Sequence, residues 1–300
     1  MRVISLLPSA TDAIVALGGL DVLVGVSHAC DAPKSIPRVT APAVDATATS
    51  GAIDAAVREI AQAGRPLFAL DEARIASLTP DLIITQALCD VCAVSETDVR
   101  ALAVRIGGRI APSPRVVSVS GSTLDSVFAD ITTIAAAIAL SSDGDALLAG
   151  LRRRMRTVHD TLKAARAPRP RVAVLEWTDP LYAGGHWVPE QVARAGGIDV
   201  LATAGTHSVV VTPPQLRDAN ADILLVAPCG FGIERAAGEA RKLARTHAWL
   251  ANTQIWALDA NRLTSRPGPH LVDGIETMAR IFAPSLFTAD DSAGANRIAG

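Results

Sequence analysis

Short apolar runs alternate with stretches of helical period along most of the chain. Residues 2–7 read as a strand, and Ser9-Ala10-Thr11-Asp12 then fits a capping box. The helix it opens carries Ala13, Ile14 and Leu17 and stops at Gly18-Gly19. Residues 22–26 form a second strand, whose carboxyl end leads into Ser27-His28-Ala29-Cys30-Asp31. Residues 40–56 are small, polar and weakly patterned, and are expected to form a surface excursion. A short strand at 67–70 and a stronger one at 82–86 follow. A helix over 96–106 and a strand over 116–119 complete a first α/β unit, whose alternation implies a mainly parallel sheet.

An all-helical interval comes next. Leu124, Val127, Phe128, Ile131, Ile134 and Ile138 recur at helical spacing, and Ser141-Ser142-Asp143-Gly144 is expected to interrupt. Leu147, Leu148, Leu151, Met155, Val158 and Leu162 then mark one face of a long helix reaching about residue 165. Pro168 and Pro170 end it, and the α/β alternation restarts at an apolar run over 172–175. Residues 176–188 are expected to form a loop between that strand and a helix over 189–195, stopped by Gly196-Gly197. Strands at 223–226 and 255–258 complete a second α/β unit. The two halves echo one another: Thr79-Pro80-Asp81-Leu82-Ile83-Ile84 leads to Cys89, and Asn220-Ala221-Asp222-Ile223-Leu224-Leu225 leads to Cys229.

The expected fold is α/β: two Rossmann-like lobes with mainly parallel sheets, joined by one long helix. Its expected parts are 1–142, a linking helix over 143–167, 168–287, and a disordered tail over 288–300. With 49 % hydrophobic and 19 % charged residues the chain is globular, and a formal charge of -2 gives no general attraction to nucleic acid. No apolar run reaches the roughly 18 residues of a membrane span, so no membrane insertion is expected. The first residues lack a separate cleavage site, which gives a cytoplasmic expectation, or a periplasmic one if the native start is longer. In that compartment the four cysteines are thiols or ligands rather than disulfides.

Aromatic residues make up only 3 % of the chain, so the stretch Glu176-Trp177-Thr178-Asp179-Pro180 to Gly184-Gly185-His186-Trp187-Val188-Pro189-Glu190 stands out. Loops at the carboxyl ends of strands in open α/β sheets are where ligands sit. The candidate ligand-binding residues at such ends are Ser9, His28, Cys30, Asp31, Gln86, Trp177, Asp179, His186, Trp187, Glu190, Phe231, Arg262, Arg266 and His270. If the lobes face each other, these loops line one cleft. Cys89-x-x-Cys92 is open to two readings, a metal or redox pair and packing at a helix start. His28 lacks ligand spacing to Cys30, so a hydrogen-bonded structural role stands beside ligand contact. His270 follows Pro267-Gly268-Pro269 and is open to capping its own helix. His159, His207 and His247 carry no accompanying signal, and Arg152-Arg153-Arg154 reads as a solvated helix face. No nucleophile elbow, phosphate loop or His-Glu-x-x-His occurs, so ligand binding explains more than catalysis.

Ile4-Ser5-Leu6-Leu7-Pro8-Ser9-Ala10-Thr11 and Leu78-Thr79-Pro80-Asp81-Leu82-Ile83 resemble the helical-backbone (class III) solute-binding proteins related to vitamin B12 and siderophore ABC importers. Gln86 to Val94, the Glu-Trp-x-Asp-Pro…Gly-His-Trp-x-Pro-Glu block and Ala227-Pro228-Cys229-Gly230-Phe231 resemble a subgroup described as cobalamin-binding. The resemblance implies two α/β lobes bridged by a helix, with a small-molecule ligand, cobalamin, held between them. Tryptophan faces would pack on the corrin and polar side chains would bond its rim, with Trp177, His186 and Trp187 foremost. Relatives that dock on an ABC permease carry a glutamate on each lobe. Those positions fall near Asp71-Glu72-Ala73 and Pro213-Pro214 here, so the second acid is missing. Three expectations result: an intracellular corrinoid-binding protein whose metal His186 or a thiolate would ligate, an iron–sulfur or Zn protein using Cys30, Cys89, Cys92 and Cys229, and an importer's binding component.

Overall fold

The structure, a computed structural model, describes residues 1–87, 96–107, 113–287 and 294–299. The chain divides into two compact units, one of Met1–Gly121 with Asp125–Leu148, the other of Ser122–Leu124 with Ala149–Gly300.

The first unit holds β1 (Val3–Ser5), α1 (Pro8–Ala16), β2 (Leu23–Val26), β3 (Thr40–Pro42), α2 (Ser50–Gln62), β4 (Phe68–Leu70), α3 (Glu72–Ser77), β5 (Leu82–Gln86), α4 (Glu96–Gly107), β6 (Arg115–Val119) and α5 (Leu124–Ala137). Its main sheet has the order β2-β1-β5-β6, and all three pairings are parallel. Every residue of β5 is buried, which is why Leu82, Ile83 and Ile84 are apolar in succession instead of alternating, and Thr85 and Gln86 at its end are buried polar groups. Ile4, Leu6, Ile83, Val99, Leu102 and Ile106 share one core on the face covered by α4.

Three expectations for this unit are corrected. The first helix starts one residue before the proposed capping box, with Leu7 at the N-cap and no side-chain cap. Pro8 takes the first turn, where a missing N–H costs nothing, and that leaves Ser9 and Thr11 buried inside the helix. The supposed excursion over 40–56 contains β3, antiparallel to β4, and the start of α2, capped by Thr49. The break expected at Ser141-Ser142-Asp143-Gly144 falls at 138–140 instead, and those four residues form the first turn of α6 (Ser141–Ala164), 24 residues long. At 1.5 Å per residue α6 is about 36 Å long, and the chain passes through it from the first unit to the second.

The second unit continues with β7 (Arg171–Thr178), β8 (Leu181–Ala183), α7 (Val188–Arg194), β9 (Ile198–Asp199), α8 (Pro213–Asp218), β10 (Ile223–Val226), α9 (Ile233–Thr246), β11 (Gln254–Leu258), α10 (Ala260–Leu263), α11 (Leu271–Phe282) and β12 (Ala295–Ala299). The strand order is β12-β11-β10-β7-β8, with β9 beside β7. β9, β7, β10 and β11 run parallel, whereas β8 and β12 are antiparallel. Leu175, Leu224, Val226, Ile255 and Ala257 are fully buried beneath Ala236, Ala237, Ala240 and Leu243 of α9. Two more expectations change here. The predicted loop after residue 175 is largely a hairpin, because β7 extends to Thr178 and pairs with β8. The tail expected to be disordered contains β12, paired with β11.

Among the described residues no helix is long and apolar enough to cross a membrane. A tether of charged groups joins α6 to α11. Arg154 donates to Glu276 at 2.9 and 2.6 Å and to Asp273 at 2.7 Å. Burial alone would raise the Asp273 carboxyl, but the hydrogen bonds from His270 and Arg154 outweigh it and hold it well below the usual carboxylate range.

Candidate functional site at the carboxyl end of the second sheet

The hairpin sets the site. Asp179-Pro180, a cis peptide, makes the turn between β7 and β8. Trp177 lies at the end of β7, and its Nε1 donates to the Asp179 carbonyl at 3.1 Å. Its ring meets Phe231 edge-on, 5.2 Å between centroids, and the Arg235 guanidinium stacks on the second of these rings, 3.5 Å from the Phe231 centroid. Phe231 is placed by the turn after β10, where the Cys229 N–H donates to the Glu176 carbonyl at 2.9 Å.

Glu176 gathers two distant segments. Its carboxylate accepts the Gly185 N–H at 3.1 Å and the Ser208 hydroxyl. A Cβ on Gly185 would collide with the Ser208 backbone nitrogen, so this close approach requires glycine. The next residue, His186, holds a left-handed φ of 54°. Its N–H donates to Thr206 O at 2.6 Å and its carbonyl accepts from Gly205 at 2.8 Å. That pinning brings His186 Nε2 to 3.2 Å from His207 Nδ1, with ring planes 89° apart. Burial, then the neighbouring His207, lowers the His186 pKa, so its imidazole is neutral at pH 7 and can act as a ligand. A left-handed conformation at a non-glycine residue is the kind of local strain that collects at functional positions.

The other candidates fall into separate groups. Trp187 is buried, 6 % exposed, and donates through Nε1 to Thr264 O at 2.7 Å. It braces α7 against α10 and offers no face, contrary to expectation. Glu190 accepts the Leu124 N–H at 2.6 Å. His270 is the N-cap residue of α11, but its side chain caps no backbone group; Nδ1 lies 2.9 Å from Asp273. Arg262 reaches the same Asp273 at 3.4 Å, and Arg266 is buried with Nε on Asn261 Oδ1 at 3.0 Å.

In the first unit, His28 bonds Thr40 Oγ1 through Nδ1 at 2.7 Å, and burial lowers its pKa. Cys30 is buried with Thr11 Oγ1 3.0 Å from its sulfur, Ser9 and Gln86 are buried, and Asp31 is exposed. Among the described residues no group of three or more His, Cys, Asp or Glu side chains is arranged to hold a metal ion. Cys89 and Cys92 lie outside the described residues. His207 is the residue that sequence reasoning missed. Its one available signal was the β-branched run Val209-Val210-Val211 behind it, a strand pattern that the chain uses to pair with β8.

Two α/β units connected through one helix, with aromatic and imidazole groups at strand carboxyl ends, define a class III solute-binding fold. The chain belongs to the periplasmic binding protein family, whose profile matches residues 3–261. No curated protein sequence matches it. Among solved structures, it is similar to a periplasmic heme-binding protein from Pseudomonas aeruginosa (20 % identity, TM-score 0.70, covering 99 % of this chain and 97 % of that one). It is also similar to the periplasmic heme-binding protein BhuT in complex with two hemes (23 %, 0.66, covering 95 % and 98 %). A third is the periplasmic vitamin B12 binding protein BtuF of Vibrio cholerae (21 %, 0.64, covering 95 % and 97 %).

Proposed function

We propose that this solute-binding protein carries a corrinoid such as cobalamin, or a similar large metal chelate, and performs no chemistry on it. The observation that carries the reading is His186, a neutral imidazole fixed by backbone hydrogen bonds at the carboxyl end of the second sheet. Trp177 at the same end supplies an apolar face of the kind a macrocycle packs on, in edge contact with Phe231, which is itself buried and, contrary to expectation, only supports it. Cobalt and iron both accept imidazole axially. Support also comes from the heme and vitamin B12 ligands of the structurally similar proteins.

The test is titration with hydroxocobalamin, and separately with hemin, followed by visible spectra and calorimetry. A shifted spectrum that is lost or weakened about tenfold in His186→Ala is expected. Unchanged spectra and no heat with either compound would end the proposal. For delivery, membership of the periplasmic binding protein family supports an importer's binding component, and two features of this chain favour a role without docking. The exposed Glu72 of α3 is tied to Arg105, and the first turn of α8 carries no acid. Co-purification with an ABC permease would overturn that part.

A further inference from the structure

His186 and His207 have a geometry that a macrocycle does not explain. A metal inside a corrin or porphyrin offers a single axial position on each face, so it can take one imidazole from one side. Here two ring nitrogens lie 3.2 Å apart. Two nitrogens bound to one ion at 2.0–2.1 Å are separated by about 2.9 Å at a right angle and about 3.4 Å at the tetrahedral angle. The observed spacing falls between these values.

The backbone holds both histidines in this relation. The Glu176 carboxylate binds Gly185, the residue before His186, and Ser208, the residue after His207. Two further hydrogen bonds, between His186 and Thr206 and between Gly205 and His186, close the same loop. The left-handed backbone of His186 is thereby fixed before any ion arrives. His207 is exposed, so the pair opens to solvent. We infer that His186 Nε2 and His207 Nδ1 chelate a bare divalent transition-metal ion of the imidazole-preferring class, such as Zn²⁺ or Ni²⁺, with water completing its coordination. No third side chain among the described residues joins them, which makes the site an exchangeable one. The inference stands whether or not a macrocycle binds. Where one does bind through His186 Nε2, the bare ion and the macrocycle exclude each other.

The experiment uses chelator-stripped full-length protein, Ni²⁺ or Zn²⁺ alone, and calorimetry at pH 7.5. One site is expected, weakened at least about tenfold by His207→Ala and by His186→Ala. It should persist in Cys229→Ser and in the Cys89→Ser/Cys92→Ser double variant. Co²⁺ should give visible d–d bands that disappear with the same histidine changes. Binding unaltered in His207→Ala, or lost in the cysteine variants, overturns the proposal. So does wild-type uptake no greater than that of the double histidine variant, which would leave the pair an ordinary hydrogen bond. Circular dichroism checks the fold, and because no macrocycle is added, failure here is distinct from failure of the corrinoid reading.

Discussion

Gly18-Gly19-Leu20-Asp21-Val22 in the first unit and Gly196-Gly197-Ile198-Asp199-Val200 in the second are nearly the same five residues, yet they fold differently. Both begin alike, with a left-handed glycine ending a helix (φ 77° and 94°). After that, Leu20–Val22 makes a 3₁₀ turn, and pairing with β1 starts only at Leu23. In the second unit pairing starts at once: Ile198 and Asp199 lie against Arg171 and Val172 of β7. Asp21 stays exposed, whereas Asp199 turns inward, and its Oδ1 accepts the N–H groups of Leu201 at 2.9 Å and Ala202 at 3.0 Å. A local signal fixes where a helix stops; the neighbouring strand decides the path the chain takes after it.

The largest expected effect tests that divergence. Burial pushes the Asp199 carboxyl up to about 6, against an unfolded value of about 3.9. A raised folded pKa means this group's stabilisation is complete below pH 4 and is lost as pH rises through 6. The loss is roughly 3 kcal/mol by pH 7.5. Asp199→Asn is expected to flatten that slope and raise the melting temperature at pH 7.5. Asp21→Asn should change stability by under about 0.5 kcal/mol. Equal pH profiles for the two variants would remove the distinction.

The strand starts show the opposite case, where the halves agree. Arg2 N–H donates to Asp81 Oδ2 at 2.7 Å, and Arg171 N–H donates to Asp222 Oδ2 at 2.7 Å. The aspartate N–H groups return the bond to the arginine carbonyls at 2.8 and 2.9 Å. Asp81→Ala and Asp222→Ala are each expected to cost about 1 kcal/mol in urea unfolding. Unequal costs would show that the repeat is one of sequence more than of energetics. The smallest effect concerns Thr79 and Asn220, both left-handed (φ 41° and 47°). Thr79→Gly should stabilise by up to about 1 kcal/mol and Asn220→Gly by less, because a β-branched residue fits that region worst. A reversed order in thermal melts would contradict the matched geometry.

These pairs also show how much could be read from sequence. The strands at 82–86 and 223–226 were legible because Leu82, Ile83 and Ile84, and all of Ile223–Val226, are consecutive apolar residues, as strands buried on both faces require. α2 was missed although Ile53, Val57 and Ile60 form an apolar stripe, because that stripe is short and lies among small and polar residues. β12 was hidden because an edge strand of Ala-Asn-Arg-Ile-Ala carries little hydrophobic signal. At the site, Trp177 and His186 stood out by residue type. The partnership of His186 with His207, 21 positions on, depends on Glu176 drawing two loops together, which no local spacing encodes. Trp187 misled because a tryptophan between glycines and a proline resembles a ligand face, while its indole in fact spans α7 and α10.

The last strand has a practical bearing on how the protein is handled. β12 seals the flank of β11, so a chain trimmed after residue 287 would leave a row of open amide and carbonyl groups there. Such a bare rim invites another molecule's strand, and preparations cut at that point would tend toward inclusion bodies.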